Sequence, residues 1–239
     1  MPSLILITGW AHSAISLKPL AAGLASCFSV HCVSPHDLKG SDYVRGLITL
    51  IEEQTTPVIL AGWSMGGMIA FQAAAMRPNL VSHLVLISSS ARFCSAPDYP
   101  CGQAPGKIQS LIAGLERVPE RMLGRFYDQS CAPERTNPAA RENFIVNAMR
   151  FGTPELIRGL DHLALSDLRP LIRQTKTLTL LIHGDADSII PCAASEYLAK
   201  HHPSARLILK NGAGHNLPVD DAEFTADIVC SFVKRGLND

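Results

Sequence analysis

Six short runs, at 4–7, 29–33, 57–61, 83–87, 178–182 and 205–209, are apolar nearly throughout and show no strict apolar/polar alternation. A strand of this kind has both faces buried, so the sheet it joins must be covered by helices on both sides. The stretches 14–25, 41–54, 65–76, 192–202 and 219–235 are long enough for the crossover helices this requires. The alternation predicts an α/β chain with a doubly wound, mostly parallel sheet. In such sheets the chemistry collects on loops at the carboxyl ends of the strands.

One region breaks the pattern. Between about Arg92 and Arg169 there are no convincing strands, and Pro97, Pro100, Pro105, Pro119, Pro133, Pro138 and Pro154 punctuate helical stretches at 106–116, 119–129, 139–150 and 154–164. The expected organisation is a core of residues 1–91 and 170–239, with residues 92–169 inserted as a helical lid.

Bulk chemistry excludes several functions. At 47% hydrophobic and 18% charged residues, the chain has the material for a core and no bias toward disorder. A formal net charge of zero gives the whole molecule no attraction for nucleic acid or an anionic membrane. The opening MPSLILITGW is too short an apolar run for a signal peptide, and no run approaches the ~18 residues of a membrane span. Seven cysteines, odd in number and without a CxxC or Cys/His zinc spacing, read as free thiols in a reducing cytoplasm. No metal or organic cofactor is implied.

Gly62-Trp63-Ser64-Met65-Gly66 fits G-x-S-x-G, after the third run and before a helical pattern. A serine on so tight a turn needs glycine two residues before and after it, because side chains there would collide with the adjoining strand or helix. A nucleophilic serine also needs a base and an acid to orient that base, in the chain order Ser, Asp, His. Of nine histidines, only His215 follows the last run, within Asn211-Gly212-Ala213-Gly214-His215. His201 and His202 close a helix and read as surface caps; His12, His36, His162 and His183 lie within predicted elements or precede any suitable acid. The acid is expected after the fifth run, in Gly184-Asp185-Ala186-Asp187-Ser188. Asp187 is favoured, and Asp185 is left to satisfy loop backbone donors. The oxyanion should find two backbone N–H donors, Met65 after the nucleophile and Trp10 in the Thr8-Gly9-Trp10 loop. Trp10 and Trp63 are expected to line the substrate pocket, with core packing as the plainer reading of both.

The segments LILITGW, GWSMGG, HGDADSIIP and GAGH, in this order and spacing, resemble the α/β-hydrolase superfamily along nearly the whole chain. Within it the sequence is similar to the pimeloyl-ACP methyl ester carboxylesterases of biotin synthesis. The likeness lies in the Gly-Trp pair after the first run, the Gly-Trp-Ser-x-Gly-Gly elbow, the segment from Glu120 to Phe126, and SDLRPLIRQTKTLTLLIHGDAD. The resemblance implies that Arg121 and Arg125 of the lid hold an acyl carrier protein, and that Phe126 lines the pocket. Three features depart from the family pattern: Thr8 stands where a histidine is usual, the leading hairpin is missing, and 34–40 shortens a Gly-rich loop.

The expected activity is a serine carboxylesterase acting on a short or medium acyl ester, with the pimeloyl-ACP methyl ester as the substrate the resemblance implies. A carbon–carbon lyase of the menaquinone-pathway type, on the same three residues, is the alternative from another reaction class. A general small-ester or thioester hydrolase is the alternative within the same class.

Overall fold

The computed structural model describes residues 1–236. Six strands, β1 (Ser3–Ile7), β2 (Ser29–Val33), β3 (Val58–Trp63), β4 (Val81–Ile87), β5 (Leu178–Gly184) and β6 (Ala205–Lys210), form one sheet in the order β2-β1-β3-β4-β5-β6. Every neighbouring pair is parallel. The crossovers carry α1 (Lys18–Leu24), α2 (Tyr43–Glu52) and α3 (Met65–Met76). Between β4 and β5 stand α4 (Gly106–Arg117), α5 (Pro119–Cys131), α6 (Pro138–Met149), α7 (Thr153–Leu165) and the short α8 (Arg169–Ile172). After β5 come α9 (Ala193–His201), α10 (Leu217–Asp220) and α11 (Ala222–Gly236).

The period of two along each strand divides the core. Leu4 and Leu6 of β1, with Ile59 and Ala61 of β3, face a cluster closed by Leu20 and Leu24 of α1 and Val229 and Val233 of α11. Ile5 and Ile7, with Val58 and Leu60, face the other way, onto Leu47 and Ile51 of α2 and Met68 and Ile69 of α3. Each such side chain is worth about 1.5–3 kcal/mol once removed from water. β3, in the middle, is buried at every position, whereas the edge strands β2 and β6 are part exposed.

The second cluster does not stop at the sheet. Ile108 and Leu115 of α4, Leu123 and Phe126 of α5, Phe144 of α6, and Leu156 and Leu160 of α7 belong to it as well. The chain leaves and re-enters the sheet region at one place. There the Leu168 N–H donates to the Ala91 carbonyl (2.8 Å) and Arg92 pairs with Asp167 (3.3 Å).

Two boundaries differ from the sequence expectation, both at prolines. The stretch 14–25 is a 3-10 turn, Ala14–Leu17, followed by α1, whose second residue is Pro19. Proline lacks the N–H that a continuing helix would need and is tolerated in the first turn, so the α-helix restarts there. Likewise 219–235 divides into α10, with Pro218 in its first turn, and α11. His202 is not a surface cap: it is buried, and its Nδ1 accepts from the Ser204 N–H (3.1 Å).

Strand order reverses between β1 and β3, since β2 lies outward of β1 on one side and β4 outward of β3 on the other. That reversal opens a crevice above the strand ends. The loops after β1 and β3 meet there.

Candidate active site

Ser64 joins β3 directly to α3 at φ 56° and ψ −120°, a region that residues other than glycine rarely enter. The turn is possible only because its neighbours lack side chains. A Cβ on Gly62 would strike the Gly66 carbonyl, and one on Gly66 would strike the carbonyls of Thr8 and Ile7. The strain, of order 1–3 kcal/mol, is held by bonds on both sides of Ser64. Its N–H donates to Ile87 O (2.9 Å), and its carbonyl accepts from Ser89 Oγ (2.8 Å).

His215, in the loop after β6, places Nε2 3.0 Å from Ser64 Oγ and Nδ1 2.7 Å from Asp187 Oδ2. Two contacts aim its backbone. Trp63 Nε1–H donates to the His215 carbonyl (2.9 Å), and the next N–H, of Asn216, donates to Ser130 O at the end of α5 (3.1 Å). Trp63 is thus fully buried, as its core-packing reading expects, with its one polar atom spent on bracing the histidine loop.

Asp187 organises the turn after β5. Its Oδ1 accepts from the N–H groups of Ile189 and Ile190, both at 2.8 Å. Its Oδ2 faces His215 and also His183 Nε2 at 3.2 Å. Burial opposes charge on this carboxyl, but His215 and the hydrogen bonds from both histidines outweigh it and hold Asp187 well below the usual carboxylate range. Asp185 is exposed and accepts from the Gly212 N–H (2.7 Å), tying the β5 loop to the β6 loop.

The arrangement can move a proton. With Nδ1–H directed at Asp187, the Nε2 lone pair of His215 is free to accept from the Ser64 hydroxyl. Ser64, Asp187 and His215 are only 7%, 8% and 2% exposed.

The loop after β1 lies against the elbow: a Cβ on Gly9 would come within 3.2 Å of Ser64 Cβ. Met65 is the first residue of α3, and Trp10 follows Gly9. Among the described residues, neither backbone N–H donates to a protein acceptor. The Trp10 indole donates to Leu156 O on α7 (2.8 Å), and its ring meets Phe126 of α5 edge-on at 4.9 Å.

Arg121 and Arg125 are exposed, one turn apart on α5, and are not part of this cluster. They border a surface groove of about 400 Å³ with Lys107, Val118, Phe126 and Gln129. Sequence reasoning passed over His183, Ser89 and His36. His183 had a local signal, lying four residues before Asp187; the other two become visible only through long-range contacts.

A family model described as the alpha/beta hydrolase family matches residues 4–228. A protein of Nitrosomonas europaea named pimeloyl-[acyl-carrier protein] methyl ester esterase is 30% identical over 226 residues, covering 90% of this chain and 88% of its own. One of the same name from Aromatoleum aromaticum is 30% identical, covering 95% and 98%. An esterase from Exiguobacterium antarcticum superposes with a TM-score of 0.87 at 22% identity, over 98% of this chain and 92% of its own. A bromoperoxidase from Bacillus anthracis reaches 0.89 at 18%, over 98% and 92%. At these identities the solved structures speak for the fold alone. The family model and the curated relatives speak for descent: the chain belongs to the alpha/beta hydrolase family.

Proposed function

We propose that the chain is a serine carboxylesterase that cleaves the methyl ester of a pimeloyl chain presented on an acyl carrier protein. Membership of the family, with relatives named as esterases, makes it a carboxylic ester hydrolase. The observation that carries the serine mechanism is the unbroken line from Ser64 Oγ through His215 to Asp187 on a strained elbow. In this reading His215 takes the Ser64 proton as Oγ attacks the ester carbonyl, and Asp187 stabilises the imidazolium. The N–H groups of Met65 and Trp10 hold the oxyanion, with the α3 N-terminus adding a positive field. His215 then protonates the departing alcohol, and water releases the acid by the same path.

The substrate rests on the names of the relatives and on α5. Helices α4–α7 act as a lid over the site, with Phe126 beneath it and Arg121 and Arg125 outside, facing an acidic carrier. Because Ser64 is so little exposed, the acyl chain enters by displacing part of this cover. No helix among the described residues is long and apolar enough to cross a membrane, and the seven cysteines are free thiols, which suits a cytoplasmic enzyme.

Two experiments test the reading. A fluorophosphonate probe should label the wild type at Ser64 and leave Ser64→Ala unlabelled; labelling that survives the substitution would remove the nucleophile. The gene should restore growth without biotin to a strain lacking its own methyl ester esterase, and failure with a soluble, probe-reactive protein would reject the substrate while keeping the esterase.

A further inference from the structure

The loop after β1 has no secondary structure of its own, and Ala11 within it sits at φ 62°, where an alanine is strained. Two bonds close the loop on itself, Thr8 Oγ1–H to the His12 carbonyl (2.7 Å) and the His12 N–H to Gly9 O (3.3 Å), but the groups at its tip are tied elsewhere. The Ala11 N–H donates to His36 Nε2 (3.1 Å), and the Trp10 indole donates to Leu156 O (2.8 Å). A nitrogen that accepts carries no proton, so the His36 proton is on Nδ1, which donates to Glu155 Oε1 at 2.9 Å. Glu155, in the first turn of α7, is fixed in turn by Tyr43 Oη (2.8 Å) and Arg158 Nη2 (2.8 Å). The His36 side chain is wholly buried. Burial, which the bond to Glu155 only partly opposes, holds His36 below its ordinary pKa and keeps Nε2 available as an acceptor at neutral pH.

We infer that His36 and Glu155 are positioning residues for the oxyanion loop. The carboxylate sets the His36 tautomer, the imidazole holds the Ala11 amide in its strained conformation, and the preceding amide, of Trp10, is thereby aimed at the oxyanion. The geometry repeats that of Asp187 and His215, with a backbone amide in place of the serine hydroxyl. A buried amide that loses its acceptor favours turning elsewhere, and at Ala11 the turn would also release the strain. Because Glu155 and Leu156 are consecutive on α7, the donor is in place only while α7 is docked. The inference rests on the reading of Trp10 as an oxyanion donor.

The test uses the whole protein, p-nitrophenyl butyrate and a trifluoromethyl ketone that forms an oxyanion on the serine. Removing an oxyanion donor costs about a hundredfold or more in turnover, and misaiming one should cost roughly ten- to a hundredfold. His36→Leu, which fills the space without an acceptor, should therefore lower kcat by that factor with KM within about twofold, and weaken the ketone in proportion. His36→Gln, whose amide oxygen can accept from Ala11, should recover most of the loss; a purely structural role would lower Tm without this split. A folded His36→Leu with kcat within twofold of wild type overturns the inference. If His36→Leu does not fold, Glu155→Gln decides: its neutral amide releases the tautomer, and kcat should fall several-fold at constant KM, while no change overturns the proposal. Fluorophosphonate labelling of the wild type separates the two levels. An unlabelled wild type removes the serine-hydrolase reading together with this inference, and a labelled one with an indifferent His36 removes this inference alone.

Discussion

The loops after β5 and after β1 both serve Ser64, the first through His215 and the second by lying against the elbow, and their key groups are fixed at different range. In the β5 loop the catalytic carboxylate itself is fixed locally: Asp187 accepts from amides two and three residues ahead and faces a histidine four residues behind, while Asp185 and Ala186 tie the loop to the one after β6. The β1 loop depends on distant chain, taking an acceptor from His36, 25 residues away, and another from Leu156, 146 residues away. A local device fails only when its own residues change. A long-range one fails whenever its distant partner moves, and for the tip of the β1 loop that partner includes α7.

The largest expected effect lies in the β5 loop. Asp187→Asn should lower kcat by about three to four orders of magnitude, since His215 loses its correct tautomer. Asp185→Asn, on the exposed carboxylate beside it, should cost less than about tenfold. Steady-state kinetics on a small ester would reverse the assignment if the order came out the other way. Trp10→Phe probes the β1 loop: the ring against Phe126 stays, but the tether to the carbonyl of Leu156 is lost. The carbonyl keeps its ladder bond within α7, so the lost second bond should cost about 0.5–1.5 kcal/mol, read as a Tm lower by roughly 2–4 °C per kcal/mol, and kcat should fall with it. Unchanged turnover in a destabilised Trp10→Phe would show that the loop tolerates loss of this tether.

Further out, the cover itself can be tested. Arg121→Ala with Arg125→Ala should raise KM for a carrier-linked ester about tenfold, with the loss shrinking as salt rises. A p-nitrophenyl ester should be turned over within two- or threefold of wild type. Equal losses on both substrates would place the arginines in the support of α5 instead.

Acid should separate the two loops by the pH at which each loses stability. His12, at the end of the β1 loop, lies between Trp63 and Phe144, and burial, aided by His215 and His36, pushes it down to about 3. The unfolded chain takes up that proton near the ordinary value of 6.5 while the folded one does not. The contribution is therefore whole above about 6.5 and is lost as pH falls toward 3, at up to about 1.4 kcal/mol per pH unit. His162, pushed down to about 4 mainly by burial, adds in the same direction. Asp187 is depressed as a carboxylate, so its contribution survives until the pH drops below the ordinary carboxylate value of 3.8. Urea unfolding at pH 7.5 and 5.5 should show the first loss without the second, and His12→Phe should shrink the difference, leaving the part that His162 contributes.

The sequence made the strands visible because both-face burial leaves uninterrupted apolar runs, and β1 to β6 fall on the six runs within a few residues. Ser64, Asp187 and His215 could be singled out because motif, chain order and glycine spacing are local signals, and the fold brings these three together. The supports behind them could not be read so early. Glu155 and His36 are 119 residues apart, and neither carries a pattern; only the docking of α7 on the β1 loop makes them partners. For Trp63 the plainer of the two readings, core packing, is the one seen, because the strand's period of two turns the indole toward the α1 and α11 face.

Because α4 to α7 share their buried cluster with α2 and α3, the cover is not a detachable cassette. Excising 92–169 would take Phe126 and the Leu156 carbonyl from Trp10 and Phe144 from His12, and grafting in a relative's helices would require those contacts to be rebuilt. A single proteolytic nick in the segment before α4 should leave two pieces that stay together and denature together. Point changes along α5 should therefore be tolerated more readily than replacement of the whole 92–169 segment.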